Sequence, residues 1–181
     1  MKKHSQIKYF KLLLTVTLFL RGVNGIELRA QETDYKAYTL FVYNFMKYVE
    51  WPEAQSKGDF IVAILGDSPI NKELITLAAS KKLKGRNIVI KKCNTFEETI
   101  GCHLLYVASS KSSIVKTIKD QTKDKPVLIV GEREGLAKKG ASLSFVTMED
   151  DELKFDFNKK EIEQHQLKIA GSLLTLGIVI N

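Results

Sequence analysis

The side chains in this 181-residue chain that could carry chemistry are few: Cys93 and Cys102, three histidines, and serines at Ser109, Ser110, Ser112 and Ser113. Hydrolytic chemistry needs a nucleophile, a base within hydrogen-bond reach and a group that orients the base. His4 lies at the extreme N-terminus, which leaves His103 and His165. The serines lack the Gly-x-Ser-x-Gly elbow that presents a nucleophile above a sheet, and capping of a helix start explains them better. A metal site using Cys93, Cys102 and His103 meets a geometric obstacle. Adjacent residues on a strand point to opposite faces, and no fourth ligand stands at a recognised spacing. The sequence therefore predicts no catalytic residue, no metal and no cofactor.

Gly66-Asp67-Ser68-Pro69 is a different kind of candidate. It reads as a strand-to-helix turn with Ser68 as N-cap and Pro69 at the first helical position. Backbone N–H groups at such a turn can receive an anion, so Gly66, Asp67 and Ser68 form a candidate ligand or anion turn. No Gly-x-Gly-x-x-Gly or Walker pattern accompanies it, which argues against a nucleotide enzyme.

The elements that must position these residues begin after an export signal. Lys2, Lys3, Lys8 and Lys11 precede a hydrophobic run from Leu12 to Leu20, which Arg21 ends. The run is shorter than the roughly 20 apolar residues of a membrane span. Val23 with Gly25 suits a signal peptidase, and a second cut fits after Ala30. The expectation is a signal peptide over 1–30, cleaved after Gly25 or Ala30, then one domain over 31–181 outside the cytoplasm. The full chain carries 28 basic and 21 acidic residues, a net of +7. Six of those bases and one acid fall in the first thirty positions, leaving 22 against 20, or +2. Nucleic-acid binding is excluded on that balance, and Lys81-Lys82, Lys91-Lys92 and Lys138-Lys139 read as ordinary solvated faces. In an oxidising compartment the even cysteine pair, Cys93 and Cys102, predicts a disulfide.

The rest of the chain alternates strands and helices. A first helix spans about Thr33 to Glu50 and ends at Pro52. Strands follow at Phe60–Leu65, Ile88–Lys92, Leu104–Ala108 and Val127–Val130, with helices ending near Ser80 and spanning Ser112–Lys119. A short helical piece around Thr95–Ile100 carries a capping-box pattern, Thr95 with Glu98. Leu143–Thr147 and Leu153–Phe157, joined by an acidic turn, predict an antiparallel hairpin. Lys159–Gln164 reads as helix and Leu167–Ile180 as a strongly apolar terminal segment. The fold class is α/β: a three-layer sandwich with a mixed, mostly parallel sheet, helices on both faces and a C-terminal antiparallel hairpin.

On the first helix, Lys36, Thr39, Asn44, Lys47 and Glu50 share an arc of about 140°. Leu40 and Tyr43 fall inside that polar arc. Leu40, Tyr43 and Lys47 thus form a candidate contact patch. Trp51, at the helix terminus, reads as a core plug in preference to an interface residue.

The order of these segments resembles the YfiR family of small periplasmic proteins, over roughly Tyr35 to Val179. The matching residues include Tyr43-Asn44-Phe45, Lys47-Tyr48-Val49-Glu50-Trp51-Pro52, Ile64-Leu65-Gly66-Asp67-Ser68-Pro69, Gly85-Arg86 and Cys102-His103-Leu104-Leu105-Tyr106-Val107. They continue in Val127-Leu128-Ile129-Val130-Gly131, Ser144-Phe145-Val146, Phe155-Asp156-Phe157-Asn158 and Leu167-Lys168-Ile169. Two departures stand out: the family's Gly-Gly before the Phe-containing strand is Lys139-Gly140 here, and only Cys102 matches a family cysteine. The resemblance implies a non-enzymatic regulator. It would bind the periplasmic part of an inner-membrane signalling enzyme, a diguanylate cyclase or sensor kinase, and lower cyclic di-GMP signalling. A second copy of the chain is a further candidate partner, and the domain itself is expected not to be membrane-embedded. The alternative is a periplasmic small-ligand-binding protein using the carboxyl ends of the strands.

Overall fold

The first helix, α1 (Tyr35–Tyr48), starts where Asp34 Oδ1 accepts hydrogen bonds from the N–H groups of Lys36 and Ala37 at 3.0 and 3.1 Å. The computed structural model describes residues 33–149 and 152–180, so the signal-peptide expectation and the centre of the acidic turn lie outside the described residues. Val49 turns extended and begins β1 (Val49–Glu50) ahead of Pro52, whose ring disfavours helix in the residue before it. There follow β2 (Phe60–Leu65), α2 (Ile70–Ser80), β3 (Lys82–Leu83), β4 (Arg86–Cys93) and β5 (Leu104–Val107). After these come α3 (Val115–Thr122), β6 (Leu128–Gly131), β7 (Leu143–Thr147) and β8 (Leu153–Asn158). The chain closes with α4 (Lys159–Gln164), β9 (Lys168–Ile169), α5 (Gly171–Leu174) and β10 (Ile178–Ile180).

Among the described residues, eight strands form one sheet in the order β10-β8-β7-β6-β5-β2-β4-β3, and β1 pairs with β9 in a small antiparallel ladder. Strands β4, β2, β5, β6 and β7 run parallel, while β8 returns antiparallel to β7 with Phe145 opposite Phe155. This is the mixed sheet with a C-terminal hairpin that the sequence predicts. Helices cover both faces. Val62 and Ile64 of β2 point to the layer holding Val42 and Phe45 of α1 and Leu74 of α2, while Ala63 and Leu65 point to Val115 and Ile118 of α3. A strand buried on both faces needs the continuous apolar run that β2 has.

Three local expectations change. A two-residue turn with positive φ at Lys84 (50°) and Gly85 (84°) adds β3 as a tight hairpin onto β4. The serine segment Ser109–Ile114 winds as a 3-10 helix before α3, and no serine caps it; instead Ser112 Oγ donates to the Ser109 carbonyl at 2.8 Å. The terminal apolar segment divides into β9, α5 and β10, because its residues satisfy two different sheets.

Candidate functional site

The contact patch foreseen on α1 divides into two kinds of residue. Leu40 is 61% exposed. Tyr43 is half-buried against the core, and its hydroxyl donates to the Lys82 carbonyl at 3.3 Å, so it anchors α1 to β3. Lys47 is exposed, with its ammonium 5.1 Å from the Tyr48 ring centre and 5.9 Å from that of Tyr43. Beside α1, packed against the same core, α2 carries a second exposed aliphatic side chain, Ile75, at 52%. A third exposed group, Leu176, Ile178 and Val179, lies at and before the outermost strand β10.

The turn Gly66-Asp67-Ser68 stands at the carboxyl end of β2. There the chain goes to β4 on one side and to β5 on the other, the switch point where open α/β sheets bind ligands. In this protein the chain's own atoms close that place. A Cβ on Gly66 (φ 93°) would lie 2.7 Å from Lys111 Cγ and 2.9 Å from Ser110 Oγ. Asp67 projects outward and pairs with Lys92 at 2.8 Å, which holds its carboxyl below the usual range. Ser68 is buried; its hydroxyl donates to Glu132 Oε1 at 2.7 Å and accepts from the Ile70 N–H at 3.3 Å. Ser109 N–H donates to Glu132 Oε2. A buried internal carboxylate thus takes the donors that an anionic ligand would use. Glu132 was not singled out from the sequence, although an acid directly after the fully buried run Leu128–Gly131 is a readable signal.

Cys93 and Cys102 are free thiols in the structure, both against the apolar layer beneath α3. Burial raises both thiols, that of Cys102 to about 12, and their mutual proximity adds to the effect on Cys102. Reduced, neither is a reactive nucleophile. His103, next in sequence, faces the other layer and stacks on Phe60 with ring centres 4.7 Å apart.

Around His103 the residues that carry the family resemblance converge. Ile61 N–H donates to His103 Nδ1 at 3.0 Å, which leaves the proton of the neutral ring on Nε2, toward the Gln55 carbonyl. Trp51 Nε1 donates to the His103 carbonyl at 3.2 Å, and its ring meets Phe60 edge-on at 5.0 Å. Arg86 donates from Nε to the Gly58 carbonyl at 2.7 Å and from Nη2 to the Asp59 carbonyl at 3.0 Å, and it lies over Phe60. Its guanidinium comes within 3.0 Å of His103 Nε2. Burial and this charge together hold the imidazole below its ordinary pKa. Trp51 is therefore the core plug that the sequence predicts, and the cluster locks the loop after β1 to β4 and β5. His103 precedes β5 and the serines follow it, at opposite ends of one strand. His165 is buried with Nδ1 2.8 Å from the Lys125 carbonyl. Among the described residues, His103, His165 and the serines at 109–113 are not brought together.

The model of a family described as YfiR/HmsC-like matches residues 35–178. No curated protein matches the sequence. A crystal structure of a conserved domain protein from Vibrio cholerae is similar at TM-score 0.56 and 10% identity, over 82% of this chain and 60% of that one. The ABC domain from Streptococcus pneumoniae, solved in complex with L-Trp, is similar at TM-score 0.48 and 16% identity, over 66% of this chain and 55% of that one. The chain thus spans less than two thirds of the length of either solved structure, and the first likeness speaks for the fold alone.

Proposed function

The chain belongs to the YfiR/HmsC-like family, and from that premise we propose that it is a non-enzymatic periplasmic regulator of a membrane-bound signalling enzyme. It binds the periplasmic part of a diguanylate cyclase or sensor kinase, restrains it, and so lowers cyclic di-GMP. The observation that carries this reading is an exposed aliphatic side chain on each of two neighbouring helices, Leu40 of α1 at 61% and Ile75 of α2 at 52%. Single exposed aliphatic residues are common. Here each of two neighbouring helices presents one over the same sheet face, and burial of apolar surface drives most association. Among the described residues no helix is long and apolar enough to cross a membrane.

The ligand-binding alternative loses support at the turn where it was placed, because Glu132 already occupies the donors there. A second copy of the chain would find a pairing edge at β10 or β3, each of which has a neighbour on one side only among the described residues; sedimentation of the purified protein measures that association.

The test is genetic and chemical. Deleting the gene should raise cellular cyclic di-GMP, and the wild-type protein should return it to its former level. A Leu40→Ser, Ile75→Ser protein that folds normally should fail to do so. Unchanged cyclic di-GMP on deletion, with no change in the output of a cognate kinase, would remove the proposal.

A further inference from the structure

On the face opposite α1 and α2, the structure gathers lysines that are scattered in the sequence. Lys116 and Lys119 of α3, Lys138 and Lys139 before Gly140, and Lys160 of α4 line one cleft of about 510 Å³ together with Ser113, Asp120 and Glu161. The cleft thus carries five cationic side chains against two acidic ones. Lys138 and Lys139 are solvated, as the sequence suggests, and they also line this cleft. A mature net charge near +2 conceals this local excess.

The floor of the cleft is built rather than incidental. Lys119 Nζ donates to Glu161 Oε1 at 2.5 Å, with the Glu161 side chain 4% exposed. The aliphatic stem of Lys119 lies across Gly140, where a Cβ would come within 2.6 Å of Lys119 Cδ. At φ 113° this glycine is conformationally required as well. Asn158 Oδ1 accepts from the Glu161 N–H at 3.2 Å, which fixes the start of α4. Glu161 Oε2 is buried with no hydrogen-bond partner. A buried acceptor without a donor calls for an explanation. Lys116, Lys138, Lys139 and Lys160 are exposed and make no ion pair among the described residues.

We infer that this cleft binds a small phosphorylated polyol. The unpaired ammonium groups meet a phosphomonoester dianion, and charge-assisted contacts of this kind are the strong ones. A hydroxyl on the same molecule would donate to Asp120, which lines the cleft. The volume lies within the range of small-molecule sites, about 300–1,000 Å³, which favours a metabolite over a length of acidic peptide. Helix α3, which supplies Lys116 and Lys119, packs on the layer opposite α1 and α2.

The test is titration calorimetry on the purified protein with sn-glycerol 3-phosphate, inorganic sulfate, glycerol and a tetraglutamate peptide. Glycerol 3-phosphate should bind saturably at one site, at least about tenfold more tightly than sulfate or the peptide, and glycerol should not bind. Lys138→Gln with Lys139→Gln, both exposed, should weaken glycerol 3-phosphate about tenfold while leaving the melting temperature unchanged. Asp120→Asn, at an exposed position, should narrow the preference over sulfate. Absence of saturable binding, equal affinity for sulfate, tighter binding of the peptide, or an unaffected Lys138→Gln, Lys139→Gln protein would each overturn the inference.

Discussion

Replacing Arg86 by Ala tests whether the Trp51–Phe60–Arg86–His103 cluster holds the lower end of the sheet together. The guanidinium donates to the Gly58 and Asp59 carbonyl oxygens at 2.7 and 3.0 Å, makes a longer bond to that of Lys57 at 3.3 Å, and lies 5.4 Å from the Phe60 ring centre. Hydrogen bonds to a charged group contribute about 1.5–3 kcal/mol each when buried. These are partly exposed, so about half that value is appropriate, and the cation–π contact adds about 0.5–1 kcal/mol. The expected loss is about 2–4 kcal/mol, read as a lowered urea midpoint with an unchanged slope. The same substitution has a signature in pH. Burial and Arg86 lower the His103 pKa in the folded protein, so the unfolded chain binds more protons below the ordinary histidine value of 6.5. The stability contributed by neutral His103 is fully present above that pH. It is lost as pH falls from there toward the folded pKa. Removing Arg86 takes away one of the two causes, so the variant should be less stable at pH 7.5 yet lose less between pH 7 and pH 5. A loss below about 0.5 kcal/mol, or an unaltered pH slope, would refute this account of the cluster.

Three further outcomes are expected. Gly66→Ala should destabilise by about 1–3 kcal/mol in chemical denaturation, because φ is 93° and the new methyl meets Lys111 and Ser110; a neutral result would mean that the loop after β5 yields freely. Protein recovered from the periplasm should show no titratable thiol at Cys93 or Cys102 when unfolded without reductant, and two free thiols would exclude the proposed bridge. Its reduction should lower stability by up to about 3 kcal/mol without loss of the fold. Leu40→Ser should stay within about 1 kcal/mol of wild type, whereas Tyr43→Ser should cost more, since Tyr43 packs on the core and bonds to Lys82; equal costs would show that Tyr43 is not an anchor.

The sheet was legible because most of its strands are short, continuous and apolar, and because Leu143–Thr147 and Leu153–Asn158 flank an acidic turn. The β3–β4 hairpin was not, since two residues of strand at Lys82–Leu83 leave no periodicity to detect. Helical phase identified Leu40 correctly as exposed. Tyr43, on the same arc, is half-buried, because a long side chain can reach back from a polar arc to a neighbouring strand. The switch-point turn was found from its Gly-Asp-Ser-Pro chemistry, but its occupant Glu132 lies 64 positions from Ser68 in the chain, and no local pattern joins the two. The lysine cleft was hidden for the same reason, as α3, the segment before Gly140 and α4 meet only in three dimensions.

The central claim is that the α1–α2 surface engages a membrane signalling enzyme. A photo-crosslinking amino acid placed at Leu40 in living cells tests it most directly, with Lys116 on the opposite layer as the control position. The expected result is a covalent adduct at position 40 with an inner-membrane diguanylate cyclase or sensor kinase, and none at position 116. Adducts absent at 40, or formed equally at both positions, would contradict the account.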